Sequence, residues 1–179
     1  MYTRRIPVNL DDLEAAFEDA SGTVRYYLDL EIGAVIAITD EIRDELKAID
    51  EELEDAPGAE DEAFARALQE RDLPEWMRAM VCKAHAVEQG YGTRYIAIPN
   101  ADSREGYTTM EDFIETVADQ RLQAQLAQAI QGRGAFRRFK DVLVTYPDER
   151  ERWFAFNTAR VRERVLAWLQ DAGITPILE

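Results

Sequence analysis

The apolar positions of this chain change period several times, and each change marks an element. In "VNLDDLEAAFEDAS" Leu10, Leu13 and Phe17 recur at helical spacing, with Asn9 as N-cap and Asp11 and Asp12 in the first turn. The next run, "TVRYYLDLEIGAVIAITD", alternates instead. Val24, Tyr26, Leu28 and Leu30 share one face, and Arg25, Tyr27 and Asp29 share the other. "AVIAI" returns after a turn at Gly33, which predicts a β-hairpin. Helical spacing resumes at Asp40, the expected cap of a helix that carries Ile42, Leu46, Ile49 and Leu53 and ends at Pro57 and Gly58. Beyond it, "LPEWMRAMVCKAHAVEQGYG" predicts an amphipathic helix with Pro74 in its first turn and Gly90 and Gly92 at its exit. "TRYIAIPN" predicts a third strand closed by Pro99.

From there the pattern is almost wholly helical. A Thr108…Glu111 capping box opens a helix that turns Met110, Phe113, Ile114 and Val117 inward. A second helix runs from Asp119 to Gly132. A third, started near Arg133 and ended at Pro147, aims Phe136, Phe139, Leu143 and Tyr146 at the core. The last is capped by Asp148, stopped by Gly173, and carries an apolar face of Trp153, Val161, Val165, Trp168 and Leu169. The tail "ITPILE" suits an edge strand. This order predicts an α+β fold: a small antiparallel sheet, the hairpin plus one or two strands, packed against a C-terminal helical bundle in a single domain over residues 1–179.

Charge narrows the function classes. The formal net charge is -15, and it is uneven. Residues 132–179 hold nine Arg/Lys against seven Asp/Glu, so residues 1–131 carry -17. Phosphate repels such a surface, and no duplex nucleic acid is expected as a partner. No apolar run approaches the ~20 residues of a bilayer span, so no membrane is expected either. The start, "MYTRRIPVNLDD", lacks the apolar core of a signal peptide, and the lone Cys82 can form no internal disulfide. Both point to the cytoplasm. Residues 40–62 hold twelve acids against Arg43 and Lys47 and read as a solvated helix and an acidic loop, without the spacing of a calcium site.

Four stretches, "VNLDDLEAAFEDASGTVRYYLDLEIGAVI", "REGYTTMEDFIETV", "GRGAFRRFKDVL" and "WFAFNTARVRERVLAWLQDAGI", together resemble a bacterial family of uncharacterised proteins to which no activity is assigned. The resemblance spans nearly the whole chain and is weakest over residues 40–90. It implies a bacterial source and a single domain. It implies no reaction and brings no catalytic residues.

The candidate chemistry therefore rests on the residues. Cys82 and His85 stand at i,i+3 on a helix, but no further His or Cys exists to complete a zinc site, and Cys82 reads as a core residue. "NADSREGYTTMED" places Asp102, Ser103, Arg104, Glu105 and Tyr107 in a loop ahead of Glu111 and Asp112, where carboxylates could hold Mg²⁺ or simply shape a turn and a helix start. In the last helix Arg152, Phe156, Arg160 and Arg164 recur at i+4. This ladder is either a partner surface, a homodimer contact included, or a set of covered and paired side chains, with Glu149 and Glu163 as ion-pair partners. In "GRGAFRRFKD" a helix from Arg133 would align Arg133, Arg137 and Lys140 in one stripe. Asp141, the acidic half of the chain or an anionic ligand could compensate it. The sequence thus points to a cytoplasmic binding or regulatory module that recognises an anionic group or a protein partner through Arg104, Arg133, Arg137, Lys140, Arg152, Phe156 and Arg160, without metal or cofactor. The alternative is a metal-assisted hydrolase built on the 102–112 carboxylates, which requires Asp102, Glu105, Glu111 or Asp112 to converge.

Overall fold

Helical spacing and alternation resolve into thirteen elements in the computed structural model, which describes residues 4–53 and 60–177. In chain order they are β1 (Arg4–Pro7), α1 (Leu10–Glu18), β2 (Val24–Asp29), β3 (Val35–Thr39), α2 (Asp40–Leu53), α3 (Glu60–Glu70), α4 (Glu75–Gln89), β4 (Tyr95–Ile98), α5 (Ser103–Glu115), α6 (Gln120–Ala129), α7 (Ala135–Leu143), α8 (Pro147–Asp171) and β5 (Ile174–Ile177). The fold is α+β: a three-stranded antiparallel sheet of order β3-β2-β4, a pairing of β1 with β5, and a helical C-terminal region. No helix among the described residues is long and apolar enough to cross a membrane. Tertiary contacts divide the chain into two compact units. One holds residues 4–5, 10–20 and 100–177 of those described. The other holds 6–9, 21–53 and 60–99.

In the second of these, the hairpin pairs Val24 with Thr39 and Leu28 with Val35, and β4 adds on the far side with Tyr26 opposite Ile98. Ile36 and Ile38 meet Ile42, Leu46 and Ile49 of α2, Phe64 and Leu68 of α3, and Val81, Ala84 and Val87 of α4. Three expectations are corrected here. The first turn of α2 is capped by Thr39, whose hydroxyl accepts the Ile42 N–H at 3.4 Å, while Asp40 pairs with Arg43 at 2.7 Å. Pro57 and Gly58 lie outside the described residues. The segment read as an acidic loop runs into α3, where Phe64 and Leu68 at i,i+4 supply a buried edge that the surrounding acids mask. Cys82 is exposed, because Met77, Val81 and Ala84 define the inward face of α4 and Cys82 stands about 100° beyond Val81. His85, its neighbour at i+3, lays its ring flat on Phe64, with centroids 3.8 Å apart.

An ion pair with a buried carboxylate stands at the turn end of this hairpin. Asp29, only 2% exposed, accepts from Arg94 Nε at 3.0 Å, Arg94 Nη2 at 2.7 Å and the Glu31 N–H at 2.8 Å. Burial pushes the Asp29 carboxyl up, but the Arg94 and backbone bonds outweigh it and hold the group below its ordinary value. A carboxyl so depressed contributes stability that is fully present above its unfolded value of about 4 and is lost as pH falls through the lower, folded value. Asp29→Asn is therefore expected to unfold at lower urea than the parent at pH 7, and the gap should shrink as pH falls below about 4. A gap that stays constant across that range would show that the ion pair is not its source.

In the unit that holds the C-terminal helices, α1 lies along α8, with Arg162 reaching Glu14, and α5, α7 and α8 enclose Phe113, Phe139 and Trp153. Asp119 caps α6 as expected, accepting the Arg121 and Leu122 N–H groups at 2.8 and 3.1 Å. Other helix starts differ from expectation. α5 begins at Ser103, capped by Asp102 through the Arg104 N–H at 2.9 Å. Thr108 is therefore inside the helix rather than its cap, and residues 103–107 are its first turns rather than a loop. α7 begins at Ala135, after Gly134 at φ +77°, so Arg133 precedes the helix. α8 begins with Pro147, and Asp148 occupies its first turn instead of capping it. Phe136 is 42% exposed and not in the core, whose α7 contribution is Ala135, Phe139 and Leu143.

Candidate functional site

The basic stretch 132–141 does not form one stripe. Because α7 starts two residues late, Arg133 stays in the preceding turn. Arg137 stands in solvent and reaches Asp141 at 3.8 Å, the intrahelical compensation expected of it. Arg138, absent from the candidate set, is the most engaged of the group. Its Nε donates to the Ala129 carbonyl at 2.9 Å, and its two terminal nitrogens donate to the carbonyls of Arg133 and Gln131. One guanidinium thus ties the end of α6 to the start of α7. Its planar fork suits three divergent acceptors, as an ammonium would not.

Phe136 and Lys140 flank Arg138 on the same helix. At i,i+4 on α7, both face a cleft of about 590 Å³. α8 lines it with Trp153, Phe154, Asn157, Thr158 and Arg164. The start of α5 contributes Asp102, Ser103 and Gly106, and the end of α1 contributes Phe17 and Glu18. Gly106 earns its place inside a helix by what it omits: a Cβ there would stand 2.9 Å from the Phe136 ring. Phe154 is 54% exposed, so two phenylalanine rings present themselves on the cleft wall. Across the cleft, Asn157 Nδ2 donates to Glu18 Oε1 at 2.7 Å. Lys140 has no carboxylate partner among the described residues.

Sequence reasoning singled out Lys140 but missed Phe154, Glu18 and Asn157. One signal was available. Trp153, Asn157, Val161, Val165 and Leu169 form a single i+4 row, and Asn157 is its only polar member. The other four are buried, and Asn157 is half-buried at the cleft.

Arg152, Phe156 and Arg160 are engaged elsewhere. Arg152 bonds Glu149 and the Thr116 carbonyl and lies 4.9 Å over the Phe113 ring. Phe156 is half-covered against Phe113, with Arg160 above its face at 5.2 Å. Arg160 pairs with Asp112 at 2.9 Å and Glu163 at 3.3 Å, and Arg164 pairs with Glu105 at 2.8 Å. Arg104 joins these in a shallow groove between α5 and α8 of about 330 Å³. Of the 102–112 carboxylates, Asp102 caps α5 and Glu105 and Asp112 are paired with arginines of α8. Among the described residues no three His, Cys, Asp or Glu side chains come together as a metal-ligand set.

This architecture, an α+β fold whose helical C-terminal region carries a small aromatic cleft, has a family. The model of UPF0158, an uncharacterised protein family, matches residues 84–179, and the chain belongs to that family. It is 29% identical over 170 residues to a UPF0158 protein of Pseudomonas aeruginosa, covering 95% of this chain and 87% of that relative. No solved structure gives a significant match.

Proposed function

We propose that the protein is a cytoplasmic, non-enzymatic binding module whose site is the 590 Å³ cleft, and that the cleft takes a small molecule with an apolar body and an anionic group. The observation that carries this reading is the pairing of two exposed phenylalanines, Phe136 and Phe154, with a cation, Lys140, that has no carboxylate partner among the described residues. A cleft of a few hundred Å³, lined by aromatic side chains with a few polar groups, is the usual form of a small-molecule site. Exposed rings lose unfavourable water contact when a ligand covers them, and an anion at Lys140 gains an attraction that water otherwise screens. A reducing compartment suits the exposed thiol of Cys82.

Anilinonaphthalene sulfonate, an aromatic body with one sulfonate, is a suitable probe. Fluorescence titration should show one saturable site. The Phe136→Ala, Phe154→Ala double variant should bind about ten-fold more weakly, and Lys140→Ala should weaken binding and flatten its salt dependence. All three side chains are exposed, so each substitution should cost under about 1 kcal/mol and the variants should stay folded in the titration buffer. If the double variant binds the probe as tightly as the parent, the cleft is not the site.

A further inference from the structure

Resting on the cleft reading, we infer that its ligand carries charge of both signs: it is a small aromatic zwitterion, with the chemistry of a free aromatic α-amino acid. The cleft holds two cations, Lys140 and Arg164, and two anions, Glu18 and Asp102. They are not equally free. Arg164 is held by Glu105 at 2.8 Å, and Asp102 caps the start of α5, where the positive end of the helix dipole answers its charge and the Arg104 N–H donates to it at 2.9 Å. What remains is one group of each sign. Lys140 has no carboxylate partner among the described residues. Glu18 receives its hydrogen bond from Asn157, a neutral amide that leaves its charge uncompensated.

Glu18 is also the last residue of α1, a helix with no basic side chain in its last turn. The carbonyl end of a helix is the negative end of its dipole, so a carboxylate there is disfavoured and a cation favoured. An ammonium placed at Glu18 relieves both effects at once. A carboxylate at Lys140 answers the other free charge, and an aromatic ring fits the wall formed by Phe136 and Phe154. A purely anionic ligand would meet an unanswered Glu18. A purely cationic one would meet an unanswered Lys140.

Three probes separate these cases: L-phenylalanine, phenylpropionate, which lacks the amine, and phenethylamine, which lacks the carboxylate. Calorimetric titration of the intact protein should show phenylalanine binding at least about ten-fold more tightly than either. Glu18→Gln should bring phenylalanine down to the phenylpropionate level while leaving phenylpropionate no weaker than before. Lys140→Met should bring it down to the phenethylamine level. Phenylpropionate binding to the parent as tightly as phenylalanine, or Glu18→Gln leaving phenylalanine unaffected, would overturn the inference. Should none of the three bind while anilinonaphthalene sulfonate still occupies the cleft, the zwitterion inference fails and the cleft reading stands. Should the sulfonate also ignore Phe136 and Phe154, the cleft reading itself fails.

Discussion

Phe113→Ala is expected to lower stability by about 3–5 kcal/mol, the usual cost of removing a fully buried ring. Phe113 has no exposed surface, and its ring is the hub of an aromatic cluster. Trp153, Phe156 and Phe139 approach it edge-on at centroid distances of 5.2, 5.5 and 6.1 Å, and the Arg152 guanidinium covers it at 4.9 Å. Truncation removes all four contacts and opens a void among side chains carried by separate helices. Close packing within each helix leaves the void little room to collapse. Phe136→Ala is the control: the same chemical change at a ring 42% exposed, expected to cost under about 1 kcal/mol. Urea unfolding followed by tryptophan fluorescence compares the two. Equal losses would mean that the Phe113 cluster does not hold the core together.

The helices that enclose this cluster were legible from spacing alone. Met110, Phe113 and Ile114 on α5, Leu122 and Leu126 on α6, and Phe139 and Leu143 on α7 all repeat at three or four residues and are all buried. The hairpin was legible for the matching reason, since alternation on both sides of a glycine admits few other forms. Helix starts were less so. Two plausible caps lie near the start of α5, Asp102 and Thr108, and local chemistry favours both. What decides is remote: Phe136, thirty residues later in the chain, packs where a Cβ at residue 106 would stand, so Gly106 can be helical without leaving a gap. Phe136 itself was misread for a related reason. On a nine-residue helix the buried row Ala135, Phe139, Leu143 is complete without it, and periodicity cannot say which of two adjacent apolar residues turns outward.

The charges of the site were visible as a surplus but not as an arrangement. Nothing in "GRGAFRRFKD" distinguishes Arg138, whose guanidinium is spent on three backbone carbonyls, from Lys140, which faces the cleft with no carboxylate partner among the described residues. The difference comes from the two-residue delay in the start of α7. Gly134 causes that delay by adopting φ +77°, a conformation that permits the chain to turn before the helix begins. The arginines of α8 present the same problem. Their i+4 spacing was plain, but whether they met solvent or carboxylates depended on Glu105 and Asp112 of α5, which lie 48 to 59 residues away in the chain.

Gly33→Ala should be among the most damaging single substitutions in the hairpin unit, costing about 3 kcal/mol or more from two separate sources. The first is conformational. Gly33 closes the β2–β3 turn at φ +73°, with its N–H donating to the Asp29 carbonyl at 2.8 Å, and a side chain in that region costs about 1–2 kcal/mol. The second is steric. A Cβ at residue 33 would overlap the carbonyl of Pro7 and come within 3.1 Å of Ile6 Cγ2, and backbone cannot swing aside as a flexible side chain can. Relieving that overlap requires moving the 6–9 segment or the hairpin turn, and overpacking of this kind typically costs a further 1–3 kcal/mol or so. Gly22→Ala separates the two contributions. Gly22 has nearly the same φ, +71°, but open space where its Cβ would stand, so it should show the conformational cost alone. The expected order of urea midpoints is parent, Gly22→Ala, then Gly33→Ala well below both. Equal midpoints for the two variants would show that the 6–9 segment yields freely and that the contact with Pro7 contributes nothing to the fold.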